Sequence, residues 1–395
     1  MTTSSTAILG TGMTDFSRRD LTPEQLVHQA VSDALVDAAI EPSKLSLILF
    51  ANAMGGRLCD QGCIRGEAWL RKLGVGDAPV VNVDNSCAGG SSALHLGVLA
   101  AQGDTRPVLV VGVEKMWTGD RAATLAGIED GLPADYRADM RDRFIAADNP
   151  GGSILMALNA AWARQHMEER GSTIEQIVAT AVKARRLAAA NPRAQIQSIV
   201  TTEEVLAAPQ IAGILTRHMC SSFTDGAAAV VLSGASGHAG HGAPRIIGSM
   251  GRSGNGTLDY HDRLAETARA AWDELGLAPH DFDLVELHDA TSPEELYSLE
   301  SLGFFDAGCA GPATLAGDTS IGGRAVTVNP SGGLVGRGHP LGATGIAQVI
   351  ELADQLRCRS GPRQVPGARL GVAVNTGGVS GGDAAYVGIH AVAAG

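Results

Sequence analysis

The chain reads as an α/β protein built from two similar halves, each a sheet of parallel strands connected by helices. Three observations predict this. Short apolar runs alternate with stretches of helical periodicity along most of the 395 residues, the pattern of βαβ units. Hydrophobic residues make up 45% of the chain and aromatics only 4%, so the core is aliphatic, while 51 glycines supply tight turns and close helix contacts. The order of elements in the first half also returns in the second, a large-period repeat. The length suits two or three domain-sized units.

Thr6 to Met13 is expected as the first buried strand. Thr22 to Ala39 has helical periodicity, with Thr22 as N-cap and Pro23 at the first helical position. Leu45 to Ala53 is the next strand, and Gln61 to Leu73 a helix carrying Cys63, Arg65 and Glu67. Pro79 to Val83 is a strand that leads through a sharp turn into a small-residue helix, Ala93 to Ala101. Pro107 to Glu114 is a strand of near-continuous valines. From Lys115 to Pro150 the periodicity stops, and a stretch of this length reads as a lid or a substrate-binding loop region. Gly151 to Ala190 gives two helices broken near Gly171, with Ser172 or Thr173 capping the second. Asp225 to Ser233 is again a buried strand.

Gly234 to Gly242 is a linker by composition, after which the first half's order repeats. Strands are expected at Pro244–Gly248, Phe282–Leu287, Val326–Asn329, Ala368–Val374 and Ala384–Ile389. Helices are expected at Asp262–Leu275, Pro293–Leu302 and His339–Leu356. Stacked back to back, the halves would bury their central helices between two sheets, so the helix after Cys87 would meet the His339 helix at a pseudo-twofold axis. The organisation expected is an N-terminal half over 1–114 and 220–235, a loop domain over 115–219 and a C-terminal half over 236–395.

The formal net charge of −12 argues against nucleic acid or an anionic membrane as main partner, yet leaves room for a local basic entrance for a phosphorylated ligand. Six cysteines (59, 63, 87, 220, 309 and 358) do not form a disulfide framework and read as reduced thiols. Cys59 and Cys63 lack a second ligand pair at zinc-site distance, so no metal is expected. No basic-then-apolar leader opens the chain and no stretch is apolar for long enough to span a bilayer, so a cytoplasmic location is expected.

Chemistry gathers at four stretches where strands end and helices begin, the usual ligand-binding edge of an α/β sheet. The first is Asn85-Ser86-Cys87-Ala88-Gly89-Gly90. Cys87 is expected as the first residue of its helix, where unpaired N–H groups and the positive end of the dipole lower a thiol pKa. The others are Leu287-His288-Asp289-Ala290-Thr291, the run from Asn329 through Gly338-His339-Pro340-Leu341-Gly342-Ala343-Thr344-Gly345, and Asn375-Thr376-Gly377-Gly378-Val379. A thiol, two imidazoles and a glycine loop with free N–H groups are what acyl transfer through a thioester needs. A buried structural thiol is the competing reading of Cys87, and a satisfied core imidazole that of His288. Gly-His-Pro at a helix start has little packing logic, which favours a functional His339.

The Asn-Ser-Cys-Ala-Gly-Gly block, His288-Asp289-Ala290, the Gly-His-Pro-Leu-Gly-Ala-Thr-Gly run and the C-terminal Gly-Gly loop resemble the thiolase superfamily, and within it the sterol-carrier-protein (lipid-transfer) type. That resemblance covers nearly the whole chain. It implies a five-layered αβαβα sandwich of two βαβαβαββ halves, with a loop domain over the acyl-CoA site. It implies Cys87 as acyl-carrying nucleophile, His339 as its base and first oxyanion donor, and His288 completing that oxyanion hole. The N–H groups of Cys87 and Gly377 would form a second hole, in a loop that includes Asn375 and Gly378. A coenzyme A thioester would be substrate rather than permanent cofactor, in lipid metabolism, with acyl-CoA or an acyl carrier as partner and a homodimer or tetramer as assembly.

One departure matters. The family's second acid/base, normally a Cys, would fall at position 375 or 290, and this chain has Asn375 and Ala290 there. Positioned proton removal contributes 10²–10⁴-fold, so its loss costs about 3–5 kcal/mol of barrier. Acylation of Cys87 needs no such group; transfer by Claisen condensation or thiolysis does, and stays open with His288 or a substrate group as the base. Two other readings follow from the resemblance: a retro-aldol lyase acting on a CoA-linked sterol-type side chain with a small OB-fold partner subunit, and a non-catalytic lipid-binding subunit.

Overall fold

Two sets of five strands share one connectivity. The first half supplies β1 (Thr6–Met13), β2 (Leu47–Ala51), β3 (Val80–Val83), β4 (Val108–Glu114) and β5 (Gly226–Ser233). The second supplies β6 (Arg245–Ser253), β7 (Leu284–Glu286), β8 (Thr327–Val328), β9 (Leu370–Ser380) and β10 (Asp383–Ala393). Their spatial orders, β3-β2-β4-β5-β1 and β8-β7-β9-β10-β6, are the same order by position, so the repeat read from the sequence is a repeat of topology. The computed structural model describes residues 5–18, 20–145, 152–234 and 242–395, and the expected linker falls mostly outside them.

The sheet corrects two expectations. The strands are not all parallel, because β5 runs antiparallel to both its neighbours and β10 does the same. For β10 the cause is local: Gly381 and Gly382, at φ +62° and +89°, make a two-residue turn that sends the chain straight back. Nor do two separate sheets form. A two-residue ladder, Thr6↔Ile246 and Ala7↔Arg245, joins β1 to β6 into one ten-stranded sheet.

The helices that matter for the site are α1 (Pro23–Ala38), α2 (Arg65–Leu70), α3 (Gly89–Gly103), α4 (Arg121–Glu129), α5 (Ala134–Phe144), α6 (Ile154–Arg170), α7 (Ile174–Ala189), α8 (Tyr260–Leu275), α9 (Ser292–Ser301) and α10 (Leu341–Leu356). Thr22 caps α1 in a reciprocal box with Gln25, as its Thr-Pro start foretold. Gly171 in the left-handed region ends α6, and Thr173 begins α7 with a second box. The Gln61–Leu73 helix is shorter than expected: α2 starts at Arg65 and leaves Cys63 outside it. The segment after Lys115 is helical rather than irregular. Its α5, Ala-Asp-Tyr-Arg-Ala-Asp-Met-Arg-Asp-Arg-Phe, has no apolar stripe to read and buries only Met140.

Side-chain alternation places the layers. On β4, Val108 and Val110 face a core shared with α3 and α10, while Leu109 and Val111 face α1. On β9, Ala373 faces the shared core, while Val372 and Val374 face α8 and α9. The central helices are therefore enclosed by both halves, with α1 and the α8–α9 pair outside. The crossing of α3 and α10 is close because its residues are small. A Cβ on Gly90 would lie 2.6 Å from the carbonyl oxygen of Gly342, and one on Gly345 2.6 Å from the Ser91 nitrogen. This crossing brings the start of α3 and the start of α10 together.

Candidate active site

Cys87 stands in a tight turn ahead of α3, not on its first residue. Ser86 takes φ +51°, and Ala88 and Gly89 donate to the carbonyls of Asn85 and Ser86 at 3.0 and 3.1 Å, so the helix begins only at Gly89. Asn85 ties the turn down by donating to the Ser92 hydroxyl at 2.7 Å. The expected lowering of the thiol pKa is also corrected. Burial is the largest influence and pushes the Cys87 thiol up to about 12, outweighing the nearby Ser86 hydroxyl. At neutral pH the sulfur is a thiol.

The second and third turns bring the imidazoles to that sulfur. Donor atoms of Cys87, His288 and His339 all lie within 4.8 Å of one another. The two rings meet edge to face, with centroids 5.0 Å apart. Burial depresses both imidazoles: His288 to about 4, and His339 well below its usual value, with the charges of His288 and Arg337 adding to the effect there. Both are neutral at physiological pH.

Hydrogen bonds sort the ring nitrogens. His339 Nδ1 lies 2.7 Å from the Thr344 hydroxyl, which donates its own hydrogen to the Pro340 carbonyl at 3.0 Å. The hydroxyl oxygen therefore accepts from Nδ1–H, and the lone pair falls on Nε2. That Nε2 is buried and has no hydrogen-bond partner among the described residues. His288 Nδ1 lies 2.8 Å from Asn375 Nδ2, so it accepts, and Nε2 carries the hydrogen. The neighbouring imidazoles thus present opposite faces, one acceptor and one donor. Gln348 of α10 holds the His288 turn and β9 in register, donating to the carbonyls of Leu287 and Val374 at 2.8 and 3.1 Å.

The fourth stretch is divided. Gly377 lies against the Cys87 turn so closely that a Cβ would be 2.4 Å from both the Ala88 nitrogen and the Asn85 oxygen, and Gly378 takes φ +67°. Asn375 does not face the ligand space; it backs His288, and its Oδ1 is buried without a partner among the described residues. Ala290 presents only a methyl beside His288, as its residue type dictates.

Cys87, His288, His339, Gly377 and Gly378 line a cavity of about 830 Å³. Apolar wall comes from the segment between β4 and β5, including Leu125, Met156 and Trp162, and exposed Arg18, Arg121 and Arg217 line it too. The Arg18 guanidinium stacks 4.3 Å over the Trp117 ring. Sequence reasoning missed several contributors. Thr344 lies within the Gly-His-Pro run, and its contact with the His339 ring arises only when the turn folds. Tyr260 and buried Glu294 reach the cavity from α8 and α9, and no local signal marks them. Glu114, at the end of β4, accepts from the Ala53, Met54 and Gly342 nitrogens and so fixes the start of α10 against the first half. Among the described residues no helix is long and apolar enough to cross a membrane.

Two topologically equal halves that meet at the crossing of α3 and α10 and gather a thiol and two imidazoles define a thiolase-type molecule. The chain belongs to the thiolase family: residues 6–236 match the thiolase N-terminal domain and residues 257–387 the thiolase C-terminal domain-like model. It is similar to the acetyl-CoA acetyltransferase of Methanothermobacter thermautotrophicus, 35% identical over 391 residues that cover 96% of this chain and 98% of that one. It is also similar to sterol carrier protein 2 of Bos taurus, 32% identical over 388 residues, covering 94% of this chain and 69% of that one. A solved Ltp2-ChsH2(DUF35) aldolase shares the fold, with a TM-score of 0.79 at 22% identity over 100% of this chain and 98% of that chain.

Proposed function

We propose that this chain is an acyltransferase in which Cys87 takes the acyl group of a coenzyme A thioester and passes it to an acceptor. The observation that carries the reading is that His339, whose buried Nε2 has no partner among the described residues, stands in one donor-atom cluster with the Cys87 sulfur at the wall of a ligand-sized cavity. A neutral thiol needs a base as it attacks, and a neutral imidazole with a free lone pair is that base. Sγ attacks the thioester carbonyl while its proton passes to His339 Nε2. The proton then leaves on the departing coenzyme A sulfur, and acyl-Cys87 remains.

Charge developing on the carbonyl oxygen is met by the N–H groups of Cys87 and Gly377, and in the transfer step by His288 Nε2–H. The apolar wall suits an acyl chain, and the three arginines suit the phosphates of its carrier. Coenzyme A enters as substrate, with no resident cofactor. A homodimer or tetramer is proposed from the family likeness, and a cytoplasmic location from the sequence.

Asn375 behind His288 and the methyl of Ala290 supply no second acid/base, which favours one competing reading, a carbon–carbon lyase acting with a small OB-fold partner. A lyase does not need the sulfur. Cys87→Ala decides: turnover of acyl-CoA substrates falls to background in an acyltransferase and persists in a lyase.

A further inference from the structure

Three side chains with soft or borderline donor atoms meet at one point, and their chemistry extends beyond acyl transfer. One sulfur and two imidazole nitrogens lie within 4.8 Å of one another. Tetrahedral zinc, with sulfur at about 2.3 Å and imidazole nitrogen at about 2.0–2.1 Å, holds its donors about 3.3–3.6 Å apart. The cluster is therefore within about 1.5 Å of coordination distance, a closure that side-chain rotation supplies.

The surroundings match a ligand shell. Imidazoles that bind metal through one nitrogen have the other nitrogen held by a second residue. Thr344 holds His339 Nδ1 at 2.7 Å and Asn375 holds His288 Nδ1 at 2.8 Å. His339 Nε2 is already a buried acceptor with no partner among the described residues, and His288 Nε2 becomes one when its hydrogen moves to Nδ1. A fourth coordination position opens onto the 830 Å³ cavity, which gives water a place and the ion a path.

We infer that Cys87, His288 and His339 form a three-ligand site for a thiophilic divalent cation of the zinc type, which when filled blocks the sulfur. The balance is simple. The cation binds sulfur as thiolate and one proton leaves the thiol for solvent. His288 moves its hydrogen from Nε2 to Nδ1 with no net proton change, and the Asn375 amide turns so that its unpartnered Oδ1 accepts it. The turn exchanges the two ends of the amide, so Oδ1 gains the ring hydrogen while Nδ2 gives up its acceptor. No redox step is involved.

The test uses the whole chain with metal alone, so it does not depend on any acyl-transfer activity. Cobalt(II) chloride is titrated while the thiolate-to-cobalt charge-transfer band is followed. Separately, zinc chloride is added before iodoacetamide, and alkylation is read on the Cys87 peptide, since Cys63, Cys309 and Cys358 are exposed thiols of their own. One cobalt per chain, a band lost in Cys87→Ser, and protection of Cys87 that EDTA reverses are expected. His339→Gln and His288→Gln should each weaken protection at least tenfold, and Asn375→Ala about 10–100-fold, the usual effect of losing a supporting residue. Protection is read as the ratio of each variant's own alkylation rates with and without metal, and an unchanged circular dichroism spectrum and thermal unfolding midpoint show that each variant is folded. Absence of the band, or protection unchanged in both histidine variants, overturns the inference. Failure to acylate Cys87 with protection intact would instead count against the proposed function.

Discussion

Thr344→Val removes one oxygen and leaves the shape of the side chain nearly unchanged. The hydroxyl lies 2.7 Å from His339 Nδ1 and spends its own hydrogen on Pro340, so it fixes which ring nitrogen is protonated. Without it, Nδ1–H is a buried donor with no acceptor, a cost of about 1–3 kcal/mol. The ring escapes that cost by moving its hydrogen to Nε2, which takes the lone pair away from Cys87. The competent tautomer then falls in population by about 5–150-fold, and acylation falls with it. The assay is single-turnover acylation, quenched and read by intact mass, beside a coenzyme A binding measurement. Binding should change little, because Thr344 is buried behind the ring and does not line the cavity. An acylation rate within twofold of the parent, in a folded variant, would refute the tautomer reasoning.

Three further outcomes follow from the same geometry. Gly377→Ala places a methyl 2.4 Å from the backbone of the Cys87 turn and should cost about 10²–10³ in acylation rate by displacing an oxyanion donor, measured by the same quench method. Because burial raises the Cys87 thiol to about 12, alkylation by iodoacetamide in the ligand-free protein should climb about tenfold per pH unit from pH 7 to 10; a plateau already reached at pH 7 would mean a preformed thiolate. Lys183→Met strands the Glu295 carboxylate, now 2.6 Å from the ammonium in a buried pair, and should lower stability by about 3–5 kcal/mol in urea unfolding.

Sequence alone carried the local rules and the chemistry-bearing turns. Thr22-Pro23 and Gly171-Ser172-Thr173 marked helix ends because caps are decided within a few residues. The repeat was legible because each half buries the same strand–helix unit. Cys87, His288 and His339 were legible as candidates for one cluster because glycine-rich turns at strand ends leave side chains free, and the structure brings their donor atoms together. What escaped was set by distant residues. The thiol pKa is raised by burial under elements from both halves, which no inspection of a helix start reveals. Its sequence neighbours place Asn375 in the ligand loop, but its amide is claimed by a ring 87 positions away. Residues of α5 hid their helix because charged residues crowd its surface. Strand direction at β5 and β10 depended on how the chain returned, not on strand composition.

The central claim is that acyl groups rest on one sulfur. Incubation of the protein with a panel of acyl-CoA thioesters, acid quench and peptide-resolved mass spectrometry tests it directly. The account predicts an acyl mass on the Cys87 peptide, hydroxylamine-labile and strongly reduced in His339→Gln. An unmodified Cys87 peptide across the panel, in protein shown to be folded, would contradict it.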